Sequence, residues 1–527
     1  MARERSIREV SIWRLLVLWL AALACLGGLV IRLWNLQVAQ GMEYQRKLAK
    51  QSLRSVRLPG IRGRILDRNG ERLADNRPSY CVSLYLEELR RPGGIQRTVD
   101  HIMDSLYRLA ETMDRPLQLS PEDVRLHLGR RTPLPLVAWR DLDDTAVARF
   151  IERSGNFPGA ALTVEPVRTY PQGAAACHLL GYVGRADPPA AGEDGAEKFH
   201  YYLPEMAGKS GIEKRLDGVL RANAGGKLEI QVDVAGFKFD EVTRRAPGRG
   251  GDIVLAVDAR IQRAAEAVLE GQRGAAVVVD PRNGDVLALA SAPGFDPNGF
   301  VPSIPAATWN RLLKDAARPL FNRATGGEYA PGSTFKPVTL LAALHSGQVT
   351  ADTRFSCPGY FELGSARFRC WQHWGHGNID LPAAIRYSCN VYLFHAALAC
   401  GPEAIQAMAR AVGFGRKTEI SLDFERPGLV PDAPWKRAAR RDSWRDGDTC
   451  NQAIGQGALL VTPVQMGMYA AALANRGTLW QPRLVRQIVT ADGATQDIAV
   501  AKAPAGPQWQ PQHIRTVREG MRDAVNQ

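Results

Sequence analysis

The stretch EYAPGSTFKPVTLLAALHSG, residues 328–347, decides how the chain is read. A glycine-containing loop runs into an almost uninterrupted apolar segment, the pattern of a helix buried on all sides. The first turn of that helix is predicted to carry Ser333 and Lys336 on one face. A serine hydroxyl is a poor nucleophile until a base removes its proton, and a lysine serves only where burial or positive surroundings lower its pKa. A helix N-terminus supplies such surroundings, and its free N–H groups can receive an oxyanion. Pro337 is tolerated in a first turn, where its missing donor costs little. Serine and lysine are common residues, so an isolated S-x-x-K is most often a chance surface pair.

A second element changes the weight of the first. YSCNVYLFHAALA, from residue 387, places Ser388 and Asn390 at i, i+2 on a turn between two helices. The serine could relay a proton between Lys336 and a leaving group, while the asparagine amide holds a substrate carbonyl; the plain alternative for Asn390 is a helix N-cap. In this order and 55 residues apart, Ser333-x-x-Lys336 and Ser388-x-Asn390 match a serine acyl-transfer pattern. Asp448 and Thr449 of GDT, with Gly455 and Gly457 of GQG, are expected to flank the site, either touching substrate or only shaping the loop.

Beside these lie metal-type ligands. Cys357, Cys370, His376 and Cys389 form C-x12-C-x5-H-x12-C. Three thiolates and one imidazole suit a closed, structural tetrahedral zinc that would pin the Ser388–Asn390 turn to the preceding loop. A Cys357–Cys370 disulfide or simply buried thiols are the alternatives, and His373 is a substitute ligand or an exposed loop residue.

Outward from this centre, a chain of 527 residues is too long for one compact core, so at least two domains are expected. The charge balance, 67 Lys+Arg against 54 Asp+Glu, is not concentrated in a basic block with interleaved aromatics, which argues against a nucleic-acid partner. At the N-terminus, Arg3, Arg5, Arg8 and Arg14 precede an uncharged run from Leu15 to Ile31. With its flanks the run is just long enough to cross a ~30 Å hydrocarbon layer. No A-x-A-like cleavage site follows, so an uncleaved anchor with the arginines inside is expected, not a signal peptide. The bulk would then face an oxidising compartment, where seven cysteines besides Cys25 are too odd a number for a full disulfide framework.

The domain plan follows: residues 1–12 a cytoplasmic tail, 13–34 the anchor, 35–250 an elongated pedestal, and 251–527 the catalytic domain. Asn69-Gly70 and Asn283-Gly284 predict hairpins. Residues 95–155 read as helices broken by Pro-rich joints, and RRAPGRGGD, residues 244–252, as a linker. From 252 onward, hairpin strands and a run of helices (336–346, 381–388, 391–400, 402–412) imply an α+β layered domain with helices around an antiparallel sheet.

These segments together resemble the class B penicillin-binding proteins, specifically the elongation-type penicillin-binding protein 2. The resemblance spans nearly the whole chain: RLWNLQV, RGRILDRNGERLADN, GKSGIEK, VVVDPRNGDVLALASAPGFDPN, NRATGGEYAPGSTFKP, WGHG, SCN and GDTCNQAIGQGALLVTPVQM. It implies a dimerisation-type pedestal and a β-lactamase-like transpeptidase fold. It also implies a D,D-transpeptidase in which Ser333 attacks the D-Ala–D-Ala bond of a peptidoglycan stem peptide, releases D-alanine and passes the acyl group to an amine of a neighbouring strand. Penicillins and other β-lactams would acylate the same serine. The implied partners are a polytopic glycosyltransferase and the rod-shape membrane complex, at a bacterial inner membrane with the bulk in the periplasm. The family's third motif, K-[ST]-G, is absent; Lys417-Thr418 lacks the glycine, and the resemblance implies a C-terminally incomplete chain. Two rivals remain: a β-lactamase, and a catalytically incomplete scaffold or β-lactam-binding protein.

Overall fold

The structure, a computed structural model, describes residues 12–40, 42, 53–130, 132–186, 199–221, 226–232, 238–503 and 509–526. The arginines of the expected cytoplasmic tail that precede Ile12 lie outside these residues. The helix Ile12–Trp34 continues as a π turn over Asn35–Ala39, and none of its residues is buried against the rest of the chain. At 1.5 Å per residue, its 23 α-helical residues alone span about 35 Å, long enough to cross a membrane.

The N-terminal half builds two sheets. One holds Lys238–Arg245, Gly226–Val232, Leu53–Leu58 and Tyr201–Tyr202 in that spatial order. The other is centred on the 13-residue strand Arg72–Leu84, which pairs with Ile65–Leu66, Leu136–Leu142 and Ala160–Thr169. The hairpin turn falls at Asn69-Gly70, with Gly70 at φ +87°. Helix Ile95–Met113 covers this sheet through Val99, Ile102, Leu106 and Leu109, the i, i+3, i+4 stripe of an amphipathic helix. The helix Pro121–Gly129 fits the helical reading of residues 95–155, while Leu136–Leu142 departs from it as a strand paired with Arg72–Leu84.

The second sheet does not stop at the domain boundary. Ile65–Leu66 also pairs in parallel with Asp252–Leu255, which pairs in turn with Val485–Val489. One hydrogen-bonded sheet therefore joins pedestal and catalytic halves. RRAPGRGGD accordingly departs from its expected role as a linker: Gly250, Gly251 and Asp252 are buried. A Cβ on Gly63 would lie 1.8 Å from the Gly251 carbonyl oxygen, and one on Gly250 would lie 1.8 Å from that of Leu220. These glycines permit backbones to cross in contact, and their abundance does not signal flexibility. Arg64, Asp67 and Arg68 reach over the same junction, to Asp252 (2.7 Å), the Ala259 amide (3.1 Å) and Asp285 (4.0 Å).

In the C-terminal half, Gly274–Val279 and Val286–Ala292 form the antiparallel hairpin around Asn283-Gly284. Helices Ala259–Val268 and Pro463–Ala474 lie against it. The helix Lys336–His345 is buried from Lys336 through Leu344, and its neighbours Asn390–Cys400 and Pro402–Ala411 enclose it. A segment that is apolar on every face has only the interior to go to, and here it becomes the axis of the domain. The architecture is α+β, with helices around antiparallel sheet.

Candidate active site

Ser333 stands exposed on a 3-10 turn, Gly332–Phe335, that leads directly into the Lys336–His345 helix. Phe335, fully buried, fastens the turn to the core, and the Thr334 hydroxyl donates to the Pro331 carbonyl at 2.6 Å. The serine thus sits at solvent while the lysine three residues on is only 2 % exposed.

Lys336 does not point at empty space. Its Nζ donates to the Ser388 carbonyl (2.7 Å), the Ser388 hydroxyl (2.9 Å) and the Asn390 Oδ1 (2.7 Å). Burial pushes its pKa down to about 8, against the opposing charge of the Cys370 and Cys389 sulfurs. Desolvation penalises the ammonium, which is the condition a lysine needs to act as a base near neutrality. Lys336, Ser388 and Asn390 therefore form one hydrogen-bonded group, three residues along the chain from Ser333.

The turn that delivers Ser388 is strained. Ser388 has φ +49°, the left-handed region, between helices Leu381–Arg386 and Asn390–Cys400. A non-glycine residue there costs about 1–2 kcal/mol, and what it gains is both its carbonyl and its hydroxyl on Lys336. Asn390 is not the N-cap of its helix. Cys389 is, accepting from the Tyr392 amide through sulfur, which leaves the asparagine side chain free for Lys336 and for the Arg369 carbonyl (3.3 Å).

Asp448 and Thr449 are committed locally. Asp448 accepts from the Arg445 amide, capping its own helix, and from Lys436 at 2.7 Å. Thr449 is 1 % exposed and its hydroxyl accepts from Trp444 Nε1. Lys417-Thr418 is likewise engaged elsewhere, with the Thr418 hydroxyl donating to Glu425 at 2.6 Å.

Thr339 carries no sequence signal as a site element, whereas Gly455 is one of the glycines expected to shape the flanking loop. The Thr339 hydroxyl, fully buried, donates to the Ala453 carbonyl (2.9 Å). The Gly332 amide donates to the Gly455 carbonyl (2.9 Å), and Gly455 has φ +71° with its missing Cβ only 2.1 Å from the Gly332 oxygen. Gly455 therefore sets the position of the residue next to Ser333. Gly455→Ala is expected to displace the serine turn and lower the acylation rate at least tenfold with the fold retained, checked by circular dichroism and labelling kinetics.

Cys357, Cys370, His376 and Cys389 converge, with all four ligand atoms within 4.8 Å of one another. Both Cys357 Sγ and Cys370 Sγ lie 3.6 Å from His376 Nδ1. The three sulfurs are buried and unbonded to each other. A hydrogen bond from Cys389 holds the Cys370 thiol below the ordinary thiol range and pushes the Cys389 thiol above it. The imidazole stacks on Tyr387 and meets the edge of Trp371, while its Nε2 has no partner among the described residues. His373 is exposed and outside the cluster.

The chain matches two families, the Penicillin-binding Protein dimerisation domain over residues 57–255 and the Penicillin binding protein transpeptidase domain over residues 274–527. It is 35 % identical over 489 residues to the peptidoglycan D,D-transpeptidase MrdA of Acinetobacter baumannii, covering 92 % of this chain and 70 % of that one. Among solved structures it is similar to PBP2 in its complex with MreC from Helicobacter pylori, with a TM-score of 0.72 at 28 % identity over 90 % of this chain and 84 % of that chain. It is also similar to a component of a peptidoglycan synthase complex that coordinates polymerisation and crosslinking, with a TM-score of 0.67 at 30 % identity over 98 % and 85 %. The chain therefore belongs to the class B penicillin-binding proteins of the PBP2 (MrdA) family.

Proposed function

We propose that the chain is a peptidoglycan D,D-transpeptidase acting in cell elongation, with Ser333 as its nucleophile. The observation that carries this reading is Lys336, buried, depressed in pKa and bound by Ser388 and Asn390, one turn below an exposed serine. As a neutral amine Lys336 takes the Ser333 proton as Oγ attacks the penultimate D-Ala carbonyl. The Ser388 hydroxyl, both donor and acceptor, carries that proton on to the leaving D-alanine amine. Asn390 orients the stem peptide through its amide. An amine of a second strand then attacks the acyl-enzyme and restores Ser333. The dimerisation domain and the named transpeptidase relatives favour a synthase over a β-lactamase or a scaffold. Incubation with a D-Ala–D-Ala pentapeptide is expected to release D-alanine, and Ser333→Ala to release none; equal release by both would overturn the assignment.

The apolar helix is read as a single-pass inner-membrane anchor with the bulk of the chain in the periplasm. The resemblance to a PBP2 bound to MreC, and to a peptidoglycan synthase complex, supports rod-complex proteins and a polytopic glycosyltransferase as partners.

The cysteine cluster is read as a structural zinc site. Zn–S bonds of about 2.3 Å and Zn–N bonds of about 2.0–2.1 Å set a tetrahedral S···N edge of roughly 3.5–3.6 Å, and both S···His376 distances are 3.6 Å. The donor set, three buried sulfurs and one imidazole, fits zinc. The ion would cross-link the Cys357–His376 loop to the Ser388–Asn390 turn and take no part in acyl transfer. The purified chain is expected to carry one equivalent of zinc, and chelation to lower its melting temperature; Cys389→Ala is expected to lose both the metal and the chelator response. A metal-free protein of unchanged melting temperature would contradict the site.

A further inference from the structure

A cavity of about 330 Å³ opens between helices Ala433–Arg440 and Asp446–Ala453 and the turn at Gly457. The chain connects its wall to the segment that carries Ser333. Gln456 and Gly457, on its wall, follow Gly455, whose carbonyl holds the Gly332 amide. At 3.8 Å per Cα step, this path brings the wall within about 15 Å of Ser333. A stem peptide of three to four residues spans about 10–14 Å when extended.

The lining defines what it takes. Two half-buried indoles, Trp435 and Trp444, form apolar walls, and Trp444 is held in place by its bond to Thr449. The carboxylates of Asp442 and Asp448 are already satisfied by Lys436, at 3.0 and 2.7 Å, so the cavity offers little to a cation. Arg440, exposed at its rim, has no carboxylate partner among the described residues. Gln452, 1 % exposed, donates its amide to Pro431, while its Oε1 is buried with no partner. The free functions are thus a guanidinium, which suits a carboxylate, and an unmatched acceptor, which suits an N–H. A peptide segment with a free carboxylate and a backbone or amine N–H provides both. At about 330 Å³ the cavity is at the small end of ligand sites, sized for one or two residues and not for a glycan strand.

We propose that this cavity seats a carboxylate-bearing segment of a peptidoglycan stem peptide, with the carboxylate on Arg440, an N–H on Gln452 and the side-chain methylenes against Trp435 and Trp444. The inference rests on the transpeptidase reading and deepens it. Two strands supply the same chemistry: the upstream part of the donor peptide, or the acceptor peptide.

The test is isothermal titration of the full chain with a synthetic stem tripeptide, in free-carboxylate and fully amidated forms. Arg440→Ala is expected to weaken binding of the free form about tenfold or more, the cost of a lost charge-assisted contact, and amidation to weaken binding to the unaltered chain similarly. Arg437→Ala, on the same helix but off the cavity wall, is expected to leave binding unchanged. Retained binding after saturation with penicillin assigns the cavity to the acceptor, and lost binding assigns it to the donor. No binding by the unaltered chain, or equal binding by Arg440→Ala, overturns the proposal. Failure of penicillin to acylate Ser333 while Arg440-dependent binding persists would strike the transpeptidase reading and leave the cavity assignment standing.

Discussion

Replacing Lys336 with methionine is expected to slow acylation of Ser333 by about 10²–10⁴-fold, the range for removal of a positioned general base. Methionine keeps an unbranched side chain of similar length in a site that is 2 % exposed, so the packing of the helix should survive. It removes every donor to the Ser388 carbonyl, the Ser388 hydroxyl and Asn390. The pH dependence has a definite sign. The catalytic form is the neutral amine, and burial brings the Lys336 pKa down to about 8. Acylation by a β-lactam should therefore rise about tenfold per pH unit below that value and level off above it. Stopped-flow labelling across pH 6–10 checks both statements. A flat profile, or a Lys336→Met variant that acylates at the unaltered rate, would remove the lysine from the mechanism.

The second large effect lies in the N-terminal half of the chain. Glu213 is completely buried and receives Arg62 Nε at 2.6 Å, Arg168 Nε at 2.7 Å and the Tyr170 hydroxyl at 3.3 Å. Arg62 also binds Asp217, and Arg168 donates to the Gly63 carbonyl, so the cluster ties the GKSGIEK segment to the strand crossing described above. Two residues before it, the Gly211 amide donates to Asp423 of the catalytic half. Glu213→Ala leaves the Arg168 guanidinium buried without a carboxylate and Arg62 with Asp217 alone, a change that costs about 3–5 kcal/mol. Urea unfolding of the detergent-solubilised chain should show the loss, and Glu213→Gln a smaller one.

The same cluster has a pH signature. Desolvation raises the Glu213 pKa, but the two arginines outweigh it and hold the carboxyl below its ordinary value. A carboxylate depressed in the folded state stabilises above its unfolded pKa and loses that contribution as pH falls through the folded one. The cluster should therefore persist at neutral and mildly acidic pH and fail only below the usual carboxylate range. Unchanged stability in Glu213→Ala would contradict it.

Turn chemistry made the hairpins legible. Asn69-Gly70 and Asn283-Gly284 each placed a glycine where the backbone takes a positive φ. An unbroken apolar run likewise announced the buried Lys336–His345 helix. The joining of the halves was not legible, because Ile65 pairs with Ile253 across 188 positions and neither short strand has a pattern that names its partner. The same cause made RRAPGRGGD read as a linker: composition reports that glycine is needed, not whether for freedom or for close approach. At the site, residue types and spacing singled out Ser333, Lys336, Ser388 and Asn390, and the last three share hydrogen bonds in the structure. GQG marked Gly455 as a residue shaping the flanking loop, but the sequence could not reveal that its carbonyl holds the Gly332 amide, or that Ser388 contributes its carbonyl from a left-handed conformation. Both are backbone facts, and a side-chain motif carries no record of them.

The most direct measurement is intact mass of the purified chain after exposure to fluorescent penicillin, with Ser333→Ala alongside. The account predicts one stable covalent adduct per chain, mapped to the peptide containing Ser333 and absent from the variant. A chain that folds and yet takes no adduct, or an adduct that survives Ser333→Ala, would contradict it.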